Sequence, residues 1–370
     1  MTNTVNNANN VTGPAGNSVA GQPVPRVSVC VPTYNGVAYL KECLLSIQQQ
    51  TLADFEIIIV DDESSDGSFE LALDFAQRDP RIRVYRNTKR LGLVGNWGRC
   101  LELARADWIK FAFQDDILLP ACLEKLLAAC QREHKLFGFC ARDFLFEDGV
   151  GQTLRQWFEK HAKRLQQDYR GTGVIEPAQA AKIAVHEPSH NPVGEPTVTL
   201  IHKSVFQKLH GFDEALIQLC DAEFWDRVLV NYGAVFVPEE LATFRIHARA
   251  TTALNHEKRA FRMGMLDLLV LQYRFAFAAS FQALRQLPQT GKSVFALRTE
   301  CAFTAARAWR EARQKERAGD NSFMVEWKAV KAHCPGLQAL AWLGCMLEIP
   351  GRLKRALAGK KVDHQPNQIM

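Results

Sequence analysis

An apolar run closed by two adjacent carboxylates constrains this chain most. Residues 108–120 read Trp-Ile-Lys-Phe-Ala-Phe-Gln-Asp-Asp-Ile-Leu-Leu-Pro, with strand character from Trp108 to Phe113 leading into Asp115 and Asp116. Such a run between polar flanks is a buried central strand. Asp is a poor strand residue and is seldom buried unpaired. A pair at a strand's end marks either a charged pocket at the sheet's edge, where open α/β sheets bind ligands, or a turn in which one Asp caps the helix announced by Pro120. Adjacent carboxylates repel unless a positive group lies beside them, and hard divalent cations favour such oxygens.

Earlier stretches repeat the theme. Val27–Val31 and Phe55–Val60 read as strands, the second ending in Asp61-Asp62, and Ile82 and Val84 mark a third. Between them the apolar spacing predicts helices through Val37, Leu40, Leu44 and Ile47, through Phe69, Ala72, Leu73 and Ala76, and through Val94, Trp97, Leu101 and Ala104. Asn35 is placed to cap the first. A helix on Leu123, Leu126, Leu127 and Cys130 follows Pro120 and leads to a strand over 136–141. Residues 143–195 are polar and irregular, as a substrate loop or lid would be. A strand over 198–201, a helix beginning at Asp221, a strand over 234–237 and an extended segment over 241–247 come next. Beyond about 255 the pattern is helical only. Strands alternating with helices specify a mostly parallel sheet with right-handed crossovers, a Rossmann-like α/β layer. The expected organisation is a disordered segment over 1–25, an α/β domain over 26–254 and a helical extension over 255–370.

Composition narrows the class. Apolar residues make up 47% and charged residues 23%, an ordinary soluble balance, and a net charge of +5 demands no nucleic acid. The ten cysteines include no Cys-x-x-Cys pair and fall mostly at apolar positions. They fit buried free thiols in a reducing compartment rather than a disulfide frame or zinc site. With no apolar signal core near the start and no uncharged run of ~20 residues, the expectation is a cytoplasmic protein. Arg352, Lys354, Arg355, Lys360 and Lys361 cluster beside the apolar stretch 337–349. That pattern fits either a helix lying on the inner face of the cell membrane or a packed helix with a solvated basic tail.

Three acidic sites fall at strand ends or helix starts: Asp61/Asp62, Asp115/Asp116, and Asp221 with Glu223. In a parallel sheet the carboxyl ends of the strands open on one edge, so the first two pairs share a cleft. Neither Asp66-Gly-Ser nor Leu91-Gly-Leu-Val-Gly forms a glycine-rich phosphate loop. A bound nucleotide would therefore need a divalent metal to neutralise its phosphates.

Val-Ser-Val-Cys-Val-Pro-Thr-Tyr-Asn-Gly (27–36), Ile-Ile-Ile-Val-Asp-Asp-Glu-Ser-Ser-Asp-Gly-Ser (57–68) and the 108–120 run resemble the family 2 glycosyltransferases of GT-A fold. His-Gly-Phe-Asp (210–213), Asp-Ala-Glu-Phe-Trp (221–225) and Phe-Arg-Ile-His (244–247) match the later family pattern in order. The resemblance covers about 26–250 and points to bacterial surface-polysaccharide sugar transferases. It implies that Pro32, Thr33, Tyr34 and Asn35 hold the nucleobase, that Asp61 or Asp62 accepts a hydrogen bond from base or ribose, and that Asn96, Gln114 and Asp115 bind the nucleotide-sugar. It also implies that Asp115, with Asp116 and His247, holds Mn2+ or Mg2+, and that Asp221 is the catalytic base. The chain departs from the pattern at Phe113, where the family's first metal-motif Asp stands. Glu195, Glu223 and Trp225 are candidates for the acceptor side, Trp225 being read first as core.

The implied activity is metal-dependent inverting transfer of a sugar from a nucleoside diphosphate donor, UDP most commonly, to a glycan or lipid-linked acceptor. A sugar nucleotidyltransferase would share the α/β layer but carry a Gly-rich, Lys/Arg-bearing loop near its start, which residues 32–36 lack. A non-catalytic nucleotide-sugar-binding protein of the same fold is favoured by Phe113 and opposed by Asp115 and Asp221.

Overall fold

The computed structural model describes residues 11–12, 23–152, 154–156, 158–160, 169, 173–188, 190–247, 250, 262–287 and 291–357. The chain divides into two compact units. The first takes residues 1–177, 192–212 and 232–248, and the second 178–191, 213–231 and 249–370. The chain thus changes unit several times, where its sequence suggested one boundary near residue 254.

The first unit is built on one mixed sheet. Its strands are β1 (Val11–Thr12), β2 (Val27–Thr33), β3 (Phe55–Asp61), β4 (Ile82–Asn87), β5 (Trp108–Phe111), β6 (Ile117–Leu118), β7 (Phe137–Phe146), β8 (Val174–Ile175), β9 (Thr199–His202) and β10 (Ala234–Ile246). They lie in the order β1-β4-β3-β2-β5-β9-β7-β10-β6, with β8 also on β10. The expected parallel layer is present in β4-β3-β2-β5, whose register sets Thr33 opposite Asp61 and Cys30 opposite Phe111. Helices α1 (Val37–Gln48), α2 (Ser68–Arg78) and α3 (Gly92–Leu103) make its crossovers. Beyond β5 the antiparallel β9 reverses direction, and β7 and β10 run parallel to each other. β2 and β3 are buried at every position, which is why both read as unbroken apolar runs.

Several boundaries differ from those predicted. β5 stops at Phe111 because the chain turns, the Asp116 N–H donating to the Phe113 carbonyl at 3.0 Å. β7 continues to Phe146 along β10, so the first residues expected to be irregular are paired. The two segments predicted at 234–237 and 241–247 are one strand, broken only by register shifts on either side of Glu240. Val11 and Thr12, in the stretch expected to be disordered, pair with β4, while residues 1–10 and 13–22 lie outside the described residues. The first unit also holds α4 (Cys122–Arg132) and α6 (Lys203–Leu209).

The second unit is helical among the described residues: most of α5 (Pro177–His186) and α7 (Cys220–Tyr232), then α8 (Asp267–Phe277), α9 (Gln282–Gln286), α10 (Val294–Arg317), α11 (Ser322–His333) and α12 (Leu337–Leu357). Ala181, Ala184 and Val185 of α5, Val230 of α7, Leu271 and Phe275 of α8 and Leu297 of α10 form one buried cluster. That shared core is why segments far apart in sequence belong together.

Helices α10 and α12 meet at Gly344, where a Cβ would lie 2.0 Å from the Ala302 carbonyl oxygen and 2.9 Å from the Ala306 Cβ. Backbone cannot swing aside as a side chain can. Gly344→Ala is expected to lower stability by about 1–3 kcal/mol, read as a shift in denaturation midpoint. All ten cysteines are free, and all but the half-buried Cys345 are buried.

Candidate active site

In the first unit, the ends of β2 and β3 and the turns after them form a polar frame. The Gln114 amide clamps the backbone of Tyr34: Oε1 accepts from its N–H at 2.9 Å, and Nε2 donates to its carbonyl at 3.0 Å. A Cβ on Gly36 would lie 2.1 Å from that Oε1, so the close approach requires glycine there. Asn35, at φ 47°, does not cap α1. Its Oδ1 accepts from the Ser65 N–H, while the Asn35, Gly36 and Val37 amides donate to Ser64, Ser68 and Asp66. Hydroxyls and a carboxylate from the turn after β3 thus supply the helix's missing acceptors.

The two carboxylates at the end of β3 do different things. Asp62 is buried; its Oδ1 accepts from Asn87 and the Leu91 N–H, each at 2.8 Å, and its Oδ2 from the Gly92 N–H at 2.9 Å. It holds the start of α3. Asn96, expected at the nucleotide, is also buried, accepting from Asn87 at 3.0 Å and donating to the Val60 carbonyl at 3.0 Å. Gln114, Asn35, Asp62 and Asn96 are thus all bonded into the frame. Asp61 differs. Its Oδ2 accepts from the Ser64 N–H at 3.0 Å and lies 3.4 Å from Arg86 Nε, but its buried Oδ1 has no hydrogen-bond partner. Burial raises the Asp61 pKa above the ordinary carboxylate value. Thr33 is buried beside it in register, and the half-buried Tyr34 ring lies under the Arg90 guanidinium at 3.9 Å.

Past β5 the adjacent pair also divides. Asp115 is half-buried, and its Oδ2 lies 3.1 Å from His247 Nε2. Asp116 turns inward, where its oxygens accept from the Thr197 hydroxyl and from the Arg245 N–H at 3.1 Å. Burial first, then the Asp115 charge, pushes its pKa well up. Asp116, expected to assist a cation, here braces β10 against the turn after β5. Arg245 completes the brace, its Nε donating to the Asp115 carbonyl at 3.0 Å while its guanidinium pairs with Glu42. Thr197 is fixed in turn by the buried Lys110, which donates to its carbonyl. Sequence reading missed these braces, although Arg245 stands inside the Phe-Arg-Ile-His motif. Phe113 stacks on Trp97 at 5.0 Å, and Trp97 meets the edge of Phe212 at 4.9 Å. An aromatic cluster thus stands at the departure from the family's motif. Glu195, a candidate for the acceptor side, is ion-paired with Arg142 at 2.5 Å.

In the second unit Asp221 is the second residue of α7 and half-buried; its Oδ2 accepts from Asn191 Nδ2 at 3.1 Å. Glu223 and Trp225, the other acceptor-side candidates, both lie in the interior, where the core reading put Trp225. Trp225 is fully buried, and Glu223 is buried with Arg227 at 2.6 Å. Asp226 is buried too, with an Oδ2 that has no hydrogen-bond partner, and burial followed by the Glu223 charge pushes its pKa well up. A carboxyl whose folded pKa is raised contributes its stability in full below the unfolded pKa and loses it as pH rises through the folded one. Asp226→Asn, which stays neutral, is expected to flatten that loss. Denaturation midpoints of the variant and the parent should separate as pH rises, the variant being the more stable. Parallel curves would exonerate Asp226.

The chain matches the family model described as Glycosyl transferase family 2 over residues 28–208. A Methanocaldococcus jannaschii protein described as an uncharacterized glycosyltransferase is 30% identical over 233 residues, 61% of this chain and 72% of that one. The GalNAc(5)-diNAcBac-PP-undecaprenol beta-1,3-glucosyltransferase of Campylobacter jejuni is 34% identical over 119 residues, 32% of this chain and 38% of that one. Among solved structures, S. aureus TarS 1-349 in complex with UDP-GlcNAc aligns with a TM-score of 0.54 at 16% identity, covering 90% of this chain and 87% of that one. That likeness concerns the fold, which is GT-A with a C-terminal helical region. The chain belongs to family 2 of the glycosyltransferases and is a glycosyltransferase enzyme.

Proposed function

We propose that the protein moves a sugar, with inversion, from a nucleoside diphosphate donor to a glycan or lipid-linked acceptor, in a reaction that requires a divalent cation. The observation that carries this reading is the approach of Asp115 to His247, a carboxylate and an imidazole from distant parts of the first unit's sequence. Among the described residues no group of three or more His, Cys, Asp or Glu side chains comes together to hold a metal. Asp115 and His247 would hold Mn2+ or Mg2+ as a partial set, the carboxylate oxygen and imidazole nitrogen both being donors such cations accept. When bound, the cation offsets charge on the leaving diphosphate.

The unpartnered Oδ1 of Asp61 supports a role as acceptor for a base or ribose donor group, with Thr33 and Tyr34 beside it. Asp221 is the proposed base. It takes the proton of the acceptor hydroxyl as that oxygen bonds to the anomeric carbon and the carbon–diphosphate oxygen bond breaks. The free buried thiols favour a reducing, cytoplasmic setting.

Release of nucleoside diphosphate from a panel of donors, with and without Mn2+, tests the reading. Mn2+ should bind the protein measurably tighter with UDP present than alone. Asp115→Ala should remove about tenfold or more of that gain, the effect expected when one of few metal-site groups is lost. Equal Mn2+ binding by parent and variant would rule out Asp115 as a ligand.

A further inference from the structure

Helix α12 has two unlike faces. Leu337, Ala341 and Gly344 are buried, and Glu348 pairs with Arg310 of α10 at 2.9 Å. Away from them, Trp342, Leu343, Met346 and Leu347 stand exposed by 59%, 46%, 65% and 44%. Single exposed apolar residues are ordinary, but four large ones at i, i+1, i+4 and i+5 make a continuous stripe that water covers at a cost.

Charge selects the partner. Between 337 and 361 the only acidic residue is Glu348, already neutralised by Arg310, while Arg352, Lys354, Arg355, Lys360 and Lys361 are all basic. A second copy of the chain would bring like charge against like. A partner both apolar within and anionic at its rim matches both features. We infer that the exposed face of α12 docks on the surface of an anionic lipid bilayer, with Trp342 at the boundary between headgroups and acyl chains. Among the described residues no helix is long and apolar enough to cross a membrane, so the contact is one of lying on the surface. An enzyme held this way meets a lipid-linked acceptor in two dimensions rather than three.

Co-sedimentation of the full chain with vesicles tests the inference without any sugar nucleotide, so its failure and that of the transferase reading are separable. The protein should pellet with phosphatidylglycerol–phosphatidylethanolamine vesicles, much less with phosphatidylcholine vesicles, and should be released by high salt. Leu343→Glu with Met346→Glu should lower the partition into anionic vesicles by about tenfold or more. Val325→Glu, at a 63% exposed position on α11, should leave it unchanged. The inference is overturned if the parent stays in the supernatant or the double variant pellets like the parent. It is equally overturned if the parent self-associates in sedimentation velocity without vesicles and the double variant abolishes that association.

Discussion

Asp221→Asn is expected to lower the rate of sugar transfer by about 10²–10⁴-fold while leaving the dissociation constant of the donor within error of the parent's. The substitution keeps the shape of the side chain, and the amide oxygen can still accept from Asn191 Nδ2, as Asp221 Oδ2 does at 3.1 Å. What disappears is the capacity to take a proton at neutral pH. In a single displacement the acceptor oxygen must lose its proton as it bonds to the anomeric carbon, so the penalty falls on the chemical step and not on the ground state. Single-turnover transfer and calorimetric titration of the donor separate the two. A parallel loss of donor affinity would place Asp221 at the nucleotide instead, and undiminished transfer would remove it from the reaction.

The sheet was readable because β2, β3 and β5 are almost wholly buried, and an unbroken apolar run of strand length between turn residues fits little besides a central strand. The irregular stretch after 142 misled because β7 continues past the core: its last four residues alternate exposed and half-buried, so they read as polar loop. The site was legible as a set of strand ends and less so as a set of roles. Asp61 and Asp62 are identical in sequence terms, yet the turn into α3 consumes both oxygens of Asp62 and leaves one oxygen of Asp61 unbonded. The same division separates Asp115 from Asp116, because Thr197 and Arg245 lie too far along the chain for any local pattern to reveal them. A sequence locates a carboxylate; which donors reach it is decided by segments elsewhere in the chain.

That lesson is sharpest at Asp267, a residue with no motif around it whose loss is expected to cost the most stability. It is fully buried, and its Oδ2 accepts from the N–H groups of Ile217, Gln218 and Leu219 at 3.0, 2.5 and 3.1 Å, just before α7 begins. Its Oδ1 lies 2.8 Å from Arg262 Nε in an ion pair without hydrogen-bond alignment, and Arg262 also donates to the Ala215 carbonyl. Burial raises the Asp267 pKa against the pull of Arg262 and the three amides. Asp267→Ala leaves three amides without their acceptor and strips the buried Arg262 guanidinium of its nearer carboxylate, Glu326 lying 3.7 Å away, and should destabilise the protein by about 3–5 kcal/mol in denaturant unfolding. Removing Arg262 as well, in Arg262→Met with Asp267→Ala, separates the two causes. If the stranded charge is the whole cost, the double variant recovers most of the loss. If the amides of 217–219 matter as their geometry implies, it recovers only part, because these part-buried donors still lack the carboxylate that accepts from them. Partial recovery is the expected result. Since those amides belong to the turn that launches Asp221, the double variant should also transfer sugar more slowly at unchanged donor affinity, which a generally loosened protein would not do.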